Sequence, residues 1–473
     1  MNASIPGVRD DQGDEFVDAT GAAGSIDAAD TDGDARAVND TAVSADGHRP
    51  THAELVRLGI GFTLSAVLCA IPWVALSSII LPRVLETIDA ASKESMLGII
   101  NAIGSVVALL SNVVFGTFSD HTRSRFGKRS PWIVAGGIVA GLGIGSIAFT
   151  RSQAMIIVLW CVAQAGYNMM LAPYVATMSD RVPDKFRGTI SGFYGAGVAV
   201  GQTLGSFVGA KLLDRGSAGI FAGWMMGLAV FGLIGIIVVI IWPREQSTQN
   251  IRTAGTDARS ILDSFRPPHS APDFYFALAG RTLMMGGYWM INTYQLFIAQ
   301  DYIFAGDPNA TTKSATVIAT MAVITLIVSL IAAVGAGPVT DLIGRRKLPV
   351  ALASCLFAIG SLMPLIFRSP AGMFLFAGIA GFGYGVYNAI DQALNVSVLP
   401  NPDEAGKDLG ILNLANTLST VIGALLTSVI VIIVKAATHT TSTPPVAYTV
   451  VFIASIVIVL IAAGLIMRIR NVK

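Results

Sequence analysis

Two charged side chains interrupt long apolar runs of this sequence, and their types fit proton transfer. Asp391 lies deep in the run 372–396, and Arg281 lies about two turns into the run 274–300. An Asp at the centre of a membrane helix costs about 2.5–3.5 kcal/mol, so it needs a cavity or a partner, and it is a natural proton carrier. We interpret Asp391 as the carrier of a coupling proton. The alternative is a structural ion pair or a hydrogen bond to a neighbouring helix.

Arg281 has two interpretations that the sequence leaves open. In the first, Arg281 pairs with Asp391 and releases it on protonation, which links the proton state to a change of shape. In the second, its long side chain snorkels to the membrane surface.

Polar and aromatic residues recur at helical spacing beside these charges. Steps of three and four place them on one helix face, and aromatic rings with Asn and Gln amides match the C–H faces and hydroxyls of a sugar. For each aromatic ring the alternative is helix packing or an interfacial belt. The candidate binding residues are Trp73, Gln164, Asn168, Tyr288, Asn292, Gln295, Tyr384 and Asn388.

Enzymatic and metal chemistry find no support in the sequence. The five His residues fall in loops or tails without ligand spacing, the three Cys residues lie in apolar runs, and there is no Walker-type loop. We therefore expect no catalytic residues, no metal, no cofactor beyond a coupling H⁺, and no nucleic-acid partner.

The composition indicates a protein embedded in a lipid bilayer, with a mean hydropathy of +0.65, 53% hydrophobic residues and 13% charged residues. A hydrocarbon core about 30 Å thick needs about 20 apolar residues per helix, and runs of this length exceed a barrel strand. The sequence therefore predicts an all-α membrane protein with twelve transmembrane helices. The runs are 58–82, 95–118, 131–149, 154–178, 188–212, 219–242, 274–300, 315–338, 348–367, 372–396, 409–434 and 447–468.

The same runs divide the chain. We predict a disordered acidic tail at 1–50, a six-helix bundle at 51–242, a linker at 243–273 and a second six-helix bundle at 274–473. The termini and the loops on their side hold 22 of the 31 Lys and Arg residues, which predicts that both termini and the linker are cytoplasmic.

A charged hinge follows the second run and recurs in the other half. Both copies read Gly, three residues, Asp, then a Gly followed at once by two basic residues. Such residues hold neighbouring helix ends by ion pairs and by charge at helix termini. The predicted cytoplasmic gate comprises Asp120, Arg123, Arg125, Gly127, Lys128, Arg129, Asp341, Arg345 and Arg346.

The twelve runs and the duplicated hinge resemble the major facilitator superfamily. The longer first hinge, from Gly116 to Trp132, is similar to that of the glycoside–pentoside–hexuronide cation symporters and the sucrose transporters, as are Ala172-Pro-Tyr174 and Asp180-Arg-Val-Pro183. The resemblance covers roughly residues 55–470. It implies two pseudo-symmetric six-helix bundles whose first and fourth spans line a central pathway. The chain departs from melibiose-type members because spans one, two and four carry no mid-membrane acid for a sodium site.

The resemblance implies a secondary active transporter that works by alternating access. Our leading hypothesis is a monomeric, proton-coupled symporter of a sugar or glycoside in the plasma membrane. The alternative is a proton-driven exporter of drugs or small metabolites, although Gln202 stands where antiporters carry Pro. A non-transporting sensor is a third class, and the two hinges argue against it.

Overall fold

The computed structural model describes residues 43–44, 46–249, 268, 271–343, 347–398 and 405–470, and these residues form helices and connecting loops without a strand. Most of the predicted acidic tail and linker, together with Arg345 and Arg346, lies outside the described residues. Eleven of the described helices are long and apolar enough to cross a membrane. The predicted all-α membrane fold is confirmed.

Twelve helices occupy the positions of the twelve predicted spans. The seventh helix, which contains Arg281, is not among those eleven, and a short segment Gln295–Phe297 and a π-helical turn Ile298–Ile303 follow it. The first half contains α1 (His52–Ile88), α2 (Lys93–His121), α3 (Ser130–Ser146), α4 (Gln153–Arg181), α5 (Asp184–Asp214) and α6 (Gly216–Ile241). The second contains α7 (Pro272–Asn292), α8 (Ala310–Ile343), α9 (Lys347–Ile366), α10 (Pro370–Ser397), α11 (Ala405–Thr438) and α12 (Pro445–Met467).

The two halves repeat one packing scheme. In the first half α1 packs on α5 and α6, α3 packs on α4 and α6, and α2 packs on α4. In the second half α7 packs on α11 and α12, α9 packs on α10 and α12, and α8 packs on α10. The halves meet along two seams, α2 with α11 and α5 with α8.

Glycines of α5 bring its backbone against α1. A Cβ added to Gly197, Gly201 or Gly205 would lie within 2.6–2.9 Å of a carbonyl oxygen of α1. Small residues at steps of four allow this close approach between membrane helices. The first half therefore has a backbone-to-backbone contact where side chains would otherwise separate α1 from α5.

Candidate functional site

Arg281 and Asp391 form a buried ion pair between α7 and α10. Arg281 Nη1 lies 2.6 Å from Asp391 Oδ2, and each residue is only 3% exposed. Arg281 also donates from Nη2 and Nε to Asn416 Oδ1 of α11, at 3.2 and 3.4 Å. The structure thus shows the pairing that was the first of the two interpretations of Arg281.

Asn416 was missed by the sequence reasoning. It is a polar residue in the apolar run of α11, three positions after Asn413, and this spacing was the signal that could have drawn attention to it. A buried guanidinium needs hydrogen-bond acceptors as well as a counter-charge. Asn416 supplies a neutral acceptor that does not depend on the protonation state of Asp391.

The aromatic residues of α7 and α10 stack beside this pair. The rings of Tyr288 and Tyr384 lie 4.0 Å apart at an interplanar angle of 8°, and Trp289 contacts Tyr288 edge to face at 5.3 Å. Asn388, one turn beyond Tyr384, is exposed. Aromatic faces and an accessible amide therefore meet where α7 and α10 approach.

Asn292 and Gln295 lie where α7 ends. Asn292 is the last residue of the helix and is half-buried, and Gln295 opens the short segment that follows and is 9% exposed. Both lie about one to two turns beyond Tyr288 along the chain.

Trp73 belongs to an aromatic cluster inside the first half. Its ring stacks with Tyr167 at 4.9 Å and with Trp160 at 5.6 Å. It also lines a cavity of about 220 Å³ between α1, α3, α4, α5 and α6, together with Cys69 and Tyr194. Most of the lining side chains are apolar or aromatic.

Gln164 and Asn168 point toward α2. Asn168 Oδ1 accepts a hydrogen bond from Asn112 Nδ2 of α2 at 3.3 Å, and Asn168 Nδ2 donates to the Gln164 carbonyl at 2.9 Å. A Cβ at Gly104 of α2 would lie 3.5 Å from Gln164 Cγ. In this conformation the structure brings these two residues to α2 and not to the Tyr288–Tyr384 stack.

The first hinge ties three helix ends together within one half. Arg129 is 5% exposed; its Nη2 lies 2.5 Å from Asp120 Oδ1 and 3.0 Å from Asp180 Oδ2. Lys128 Nζ also lies 3.0 Å from Asp180 Oδ2. These contacts join the end of α2, the start of α3 and the end of α4.

The remaining hinge residues are less enclosed. Arg123 and Arg125 are exposed in the loop between α2 and α3, and Arg125 stacks over the Phe126 ring at 4.6 Å. In the second hinge Asp341 is the third residue from the end of α8, with a side chain outside the described part, as are Arg345 and Arg346.

Glu245 anchors this hinge and was also missed by the sequence reasoning. Its carboxylate accepts hydrogen bonds from the backbone N–H groups of Lys128, Arg129 and Ser130, at 2.9–3.0 Å, and from the Ser130 hydroxyl at 2.9 Å. An anion at the N-terminus of α3 satisfies its free N–H groups and interacts well with the helix dipole. Nothing in the sequence links Glu245, just after α6, to a loop more than 100 residues earlier.

Gly127 is required for this contact. Its φ is +89°, a backbone conformation that favours glycine, and a Cβ there would lie 2.2 Å from Glu245 Cδ. The glycine of the hinge pattern therefore makes room for the carboxylate.

Comparison with known families decides the class of the protein. Residues 61–400 match the family described as MFS/sugar transport protein. The chain belongs to this family. As a member of this family of transporters, it is a multi-pass membrane protein.

This family member is similar to two fungal proteins, of whose lengths it spans less than two thirds, and its fold is similar to that of a solved structure. The chain is 27% identical over 313 residues to the "Fujikurins efflux protein" of Gibberella fujikuroi, covering 64% of this chain and 62% of that protein. It is 26% identical over 242 residues to the "MFS transporter asaE" of Aspergillus flavus, covering 49% and 50%. The fold matches that of a D-xylose-proton symporter, with a TM-score of 0.63, 16% identity, and coverage of 89% of this chain and 98% of that one.

Proposed function

We propose that the protein is a proton-coupled sugar or glycoside symporter. In this proposal it works as a monomer in the plasma membrane by alternating access, with both termini cytoplasmic and the bundles 51–242 and 274–473 joined by the linker 243–273. The observation that carries the proposal is the buried Arg281–Asp391 pair, which shares the α7–α10 face with the Tyr288–Tyr384 stack.

Proton coupling follows from the charges of this pair. When Asp391 is ionised, the pair is neutral and holds α7 to α10. When a proton binds a carboxylate oxygen of Asp391, the carboxyl becomes neutral and the attraction to Arg281 is lost, while Arg281 keeps its hydrogen bonds to Asn416. Protonation thus loosens α7 from α10 without leaving the guanidinium unsolvated.

Sugar recognition follows from the neighbouring groups. A flat aromatic face suits the C–H surface of a pyranose, and an accessible amide supplies a donor and an acceptor for adjacent hydroxyls. Tyr384 and Asn388 present these groups one turn apart on α10, and Asp391 follows within the next turn. A sugar held there would lie close to the proton-binding carboxylate, which couples the two ligands.

Export of a small apolar metabolite is the second candidate. The cavity of about 220 Å³ beside Trp73 favours it, because the lining is mostly apolar and a polyhydroxylated sugar would leave hydroxyls without partners there. The similarity to a fungal efflux protein also favours export.

Counterflow in proteoliposomes tests the proposal. We expect labelled mono- or disaccharide to accumulate against an inside pool of the same sugar, and addition of that sugar to be followed by proton uptake. A panel of sugars screened first by thermal stabilisation selects the substrate. Absence of exchange across a broad panel would overturn the symport proposal, and exchange of an apolar metabolite in its place would support export.

A further inference from the structure

Lys93 and Glu94 begin α2, at the opposite end of that helix from the hinge. Their side chains are 6% and 2% exposed. Charged groups so little exposed need partners, because burial without them is unfavourable. Both residues find partners in the other half of the molecule, which is unexpected for charges at a helix end.

Lys93 joins α1 to the segment that follows α7. Its Nζ lies 2.7 Å from Asp301 Oδ2 and 3.2 Å from Glu86 Oε1, and it sits 4.7 Å from the centroid of the Phe297 ring. Glu86 also pairs with Arg83 at 2.5 Å. One lysine therefore bridges an acid of its own half and an acid of the other.

Among the described residues, the hydrogen bonds that reach the Glu94 carboxylate come from the second half. Its Oε1 accepts hydrogen bonds from Thr443 Oγ1 at 2.6 Å and from the Tyr448 hydroxyl at 3.2 Å. Its backbone carbonyl accepts from Ser428 Oγ at 3.0 Å and from the Tyr294 hydroxyl at 3.3 Å. Groups of the segment after α7, of α11, of α12 and of the loop before α12 thus converge on this one residue.

Lys435 and Gly98 complete the contact. Lys435 Nζ of α11 donates to the Ala91 carbonyl at 2.6 Å and lies 3.8 Å from Glu94 Oε2. A Cβ at Gly98 would lie 2.5 Å from Ser428 Oγ, so glycine allows α2 to contact α11 closely. Within the described part of the chain, the hydrogen bonds and ion pairs between the halves are concentrated at this end.

We infer that Lys93 and Glu94 form a clasp that closes the central pathway at the end opposite the hinge. The Lys93–Glu94 clasp consists of these two residues and the partners named above. The inference rests on the proposed alternating-access cycle, but not on the substrate, the coupling ion or Asp391. Both residues are positioning residues, because they act by holding the halves together and not by touching the transported molecule.

The charges of the clasp explain how it both closes and releases. Three cations, Arg83, Lys93 and Lys435, face three acids, Glu86, Glu94 and Asp301, so that closure buries no net charge. Ion pairs and hydrogen bonds that water replaces well in the open state make a reversible contact. A large apolar interface at the same position would favour the closed state more strongly.

A cysteine reporter tests the clasp without any substrate. Ser428→Cys, in a chain whose Cys69, Cys161 and Cys355 are replaced by Ala, replaces one hydroxyl of the clasp with a thiol, and this variant is the parent chain for every comparison. In right-side-out proteoliposomes, a membrane-impermeant maleimide added on the side of the α1–α2 loop reports opening. Ser455→Cys is the control for general unfolding. Ser455 is fully buried, and its hydroxyl donates a hydrogen bond to the Gly287 carbonyl of its own half.

Lys93→Ala should raise the labelling rate of the Ser428→Cys thiol at least tenfold and leave the Ser455→Cys thiol protected, whereas Lys93→Arg should stay near the parent rate. Lys313→Ala removes a lysine at the same end whose partner Asp307 is in its own half, and it should change nothing. An unchanged rate in Lys93→Ala would overturn the clasp, and Asp301→Asn gives the same test if Lys93→Ala does not fold. Failure of sugar counterflow would overturn the proposed function and leave this result standing.

Discussion

The Arg281 guanidinium contacts the Asp391 carboxylate at 2.6 Å in a site where both residues are 3% exposed. Removal of one charge from a buried pair leaves the other uncompensated and costs about 3–5 kcal/mol. In Asp391→Asn we therefore expect a lower midpoint of thermal unfolding and loss of proton uptake on sugar addition. The measurements are thermal unfolding in detergent and a pH-sensitive dye with proteoliposomes.

Asp307→Asn is the matched control for that experiment. Asp307 lies in the loop after α7, where the hydrogen bond from Lys313 and that from the Asn309 backbone lower the pKa of its carboxyl. It stays ionised at neutral pH, so its removal should leave proton uptake unchanged. Coupled uptake that persists in Asp391→Asn would remove Asp391 from the mechanism.

The stacked rings of Tyr288 and Tyr384 predict that sugar binding needs an aromatic residue at position 384. Tyr384→Phe keeps the stack and should bind sugar nearly as well as the parent protein. Tyr384→Ala removes a contact worth about 0.5–1.5 kcal/mol, and we expect a roughly two- to tenfold weaker apparent affinity. Titration of sugar-induced thermal stabilisation measures both, and equal affinities in the two variants would contradict a role for the ring.

Gly127 predicts an unusually costly glycine-to-alanine change. In Gly127→Ala the new Cβ would collide with Glu245, and the alanine would have to adopt the left-handed backbone conformation of Gly127. That conformation alone destabilises a residue other than glycine by about 1–2 kcal/mol. We expect lower stability and slower transport. Gly192→Ala is the control, because a Cβ there meets nothing within 4 Å and Ala stabilises a helix interior by about 0.5–1 kcal/mol over Gly. Similar effects of the two changes would contradict the anchor.

The hinge predicts different consequences for its two acids. Asp120 is 53% exposed and pairs with Arg129, whereas Asp180, 23% exposed, pairs with both Arg129 and Lys128. Asp120→Asn should reduce turnover while leaving membrane insertion intact, and Asp180→Asn should reduce turnover further. Initial rates of counterflow, normalised to inserted protein, measure this order. Normal turnover in Asp120→Asn would count against the gate. A smaller loss of turnover in Asp180→Asn than in Asp120→Asn would contradict the expected order of the two acids.

The all-helical membrane fold followed from the sequence because the length of each apolar run is a local property. The pairing of Arg281 with Asp391 was one of the two interpretations that the sequence left open. Glu245 and the Lys93–Glu94 clasp could not be anticipated. Each stands at a helix end, where charges are ordinary, and only the three-dimensional structure shows that a loop or the other half covers it.

The glycine contact between α1 and α5 has a mechanical consequence. Gly201 lies against the Val67 carbonyl, so the two helices cannot slide past each other without a collision of their backbones. We therefore expect α1 and α5 to move as one rigid unit. The α5–α8 seam, which joins the halves, then moves together with the helix that carries Trp73. A larger residue at position 201 would push α1 and α5 apart and would slow the transport cycle without contacting any ligand.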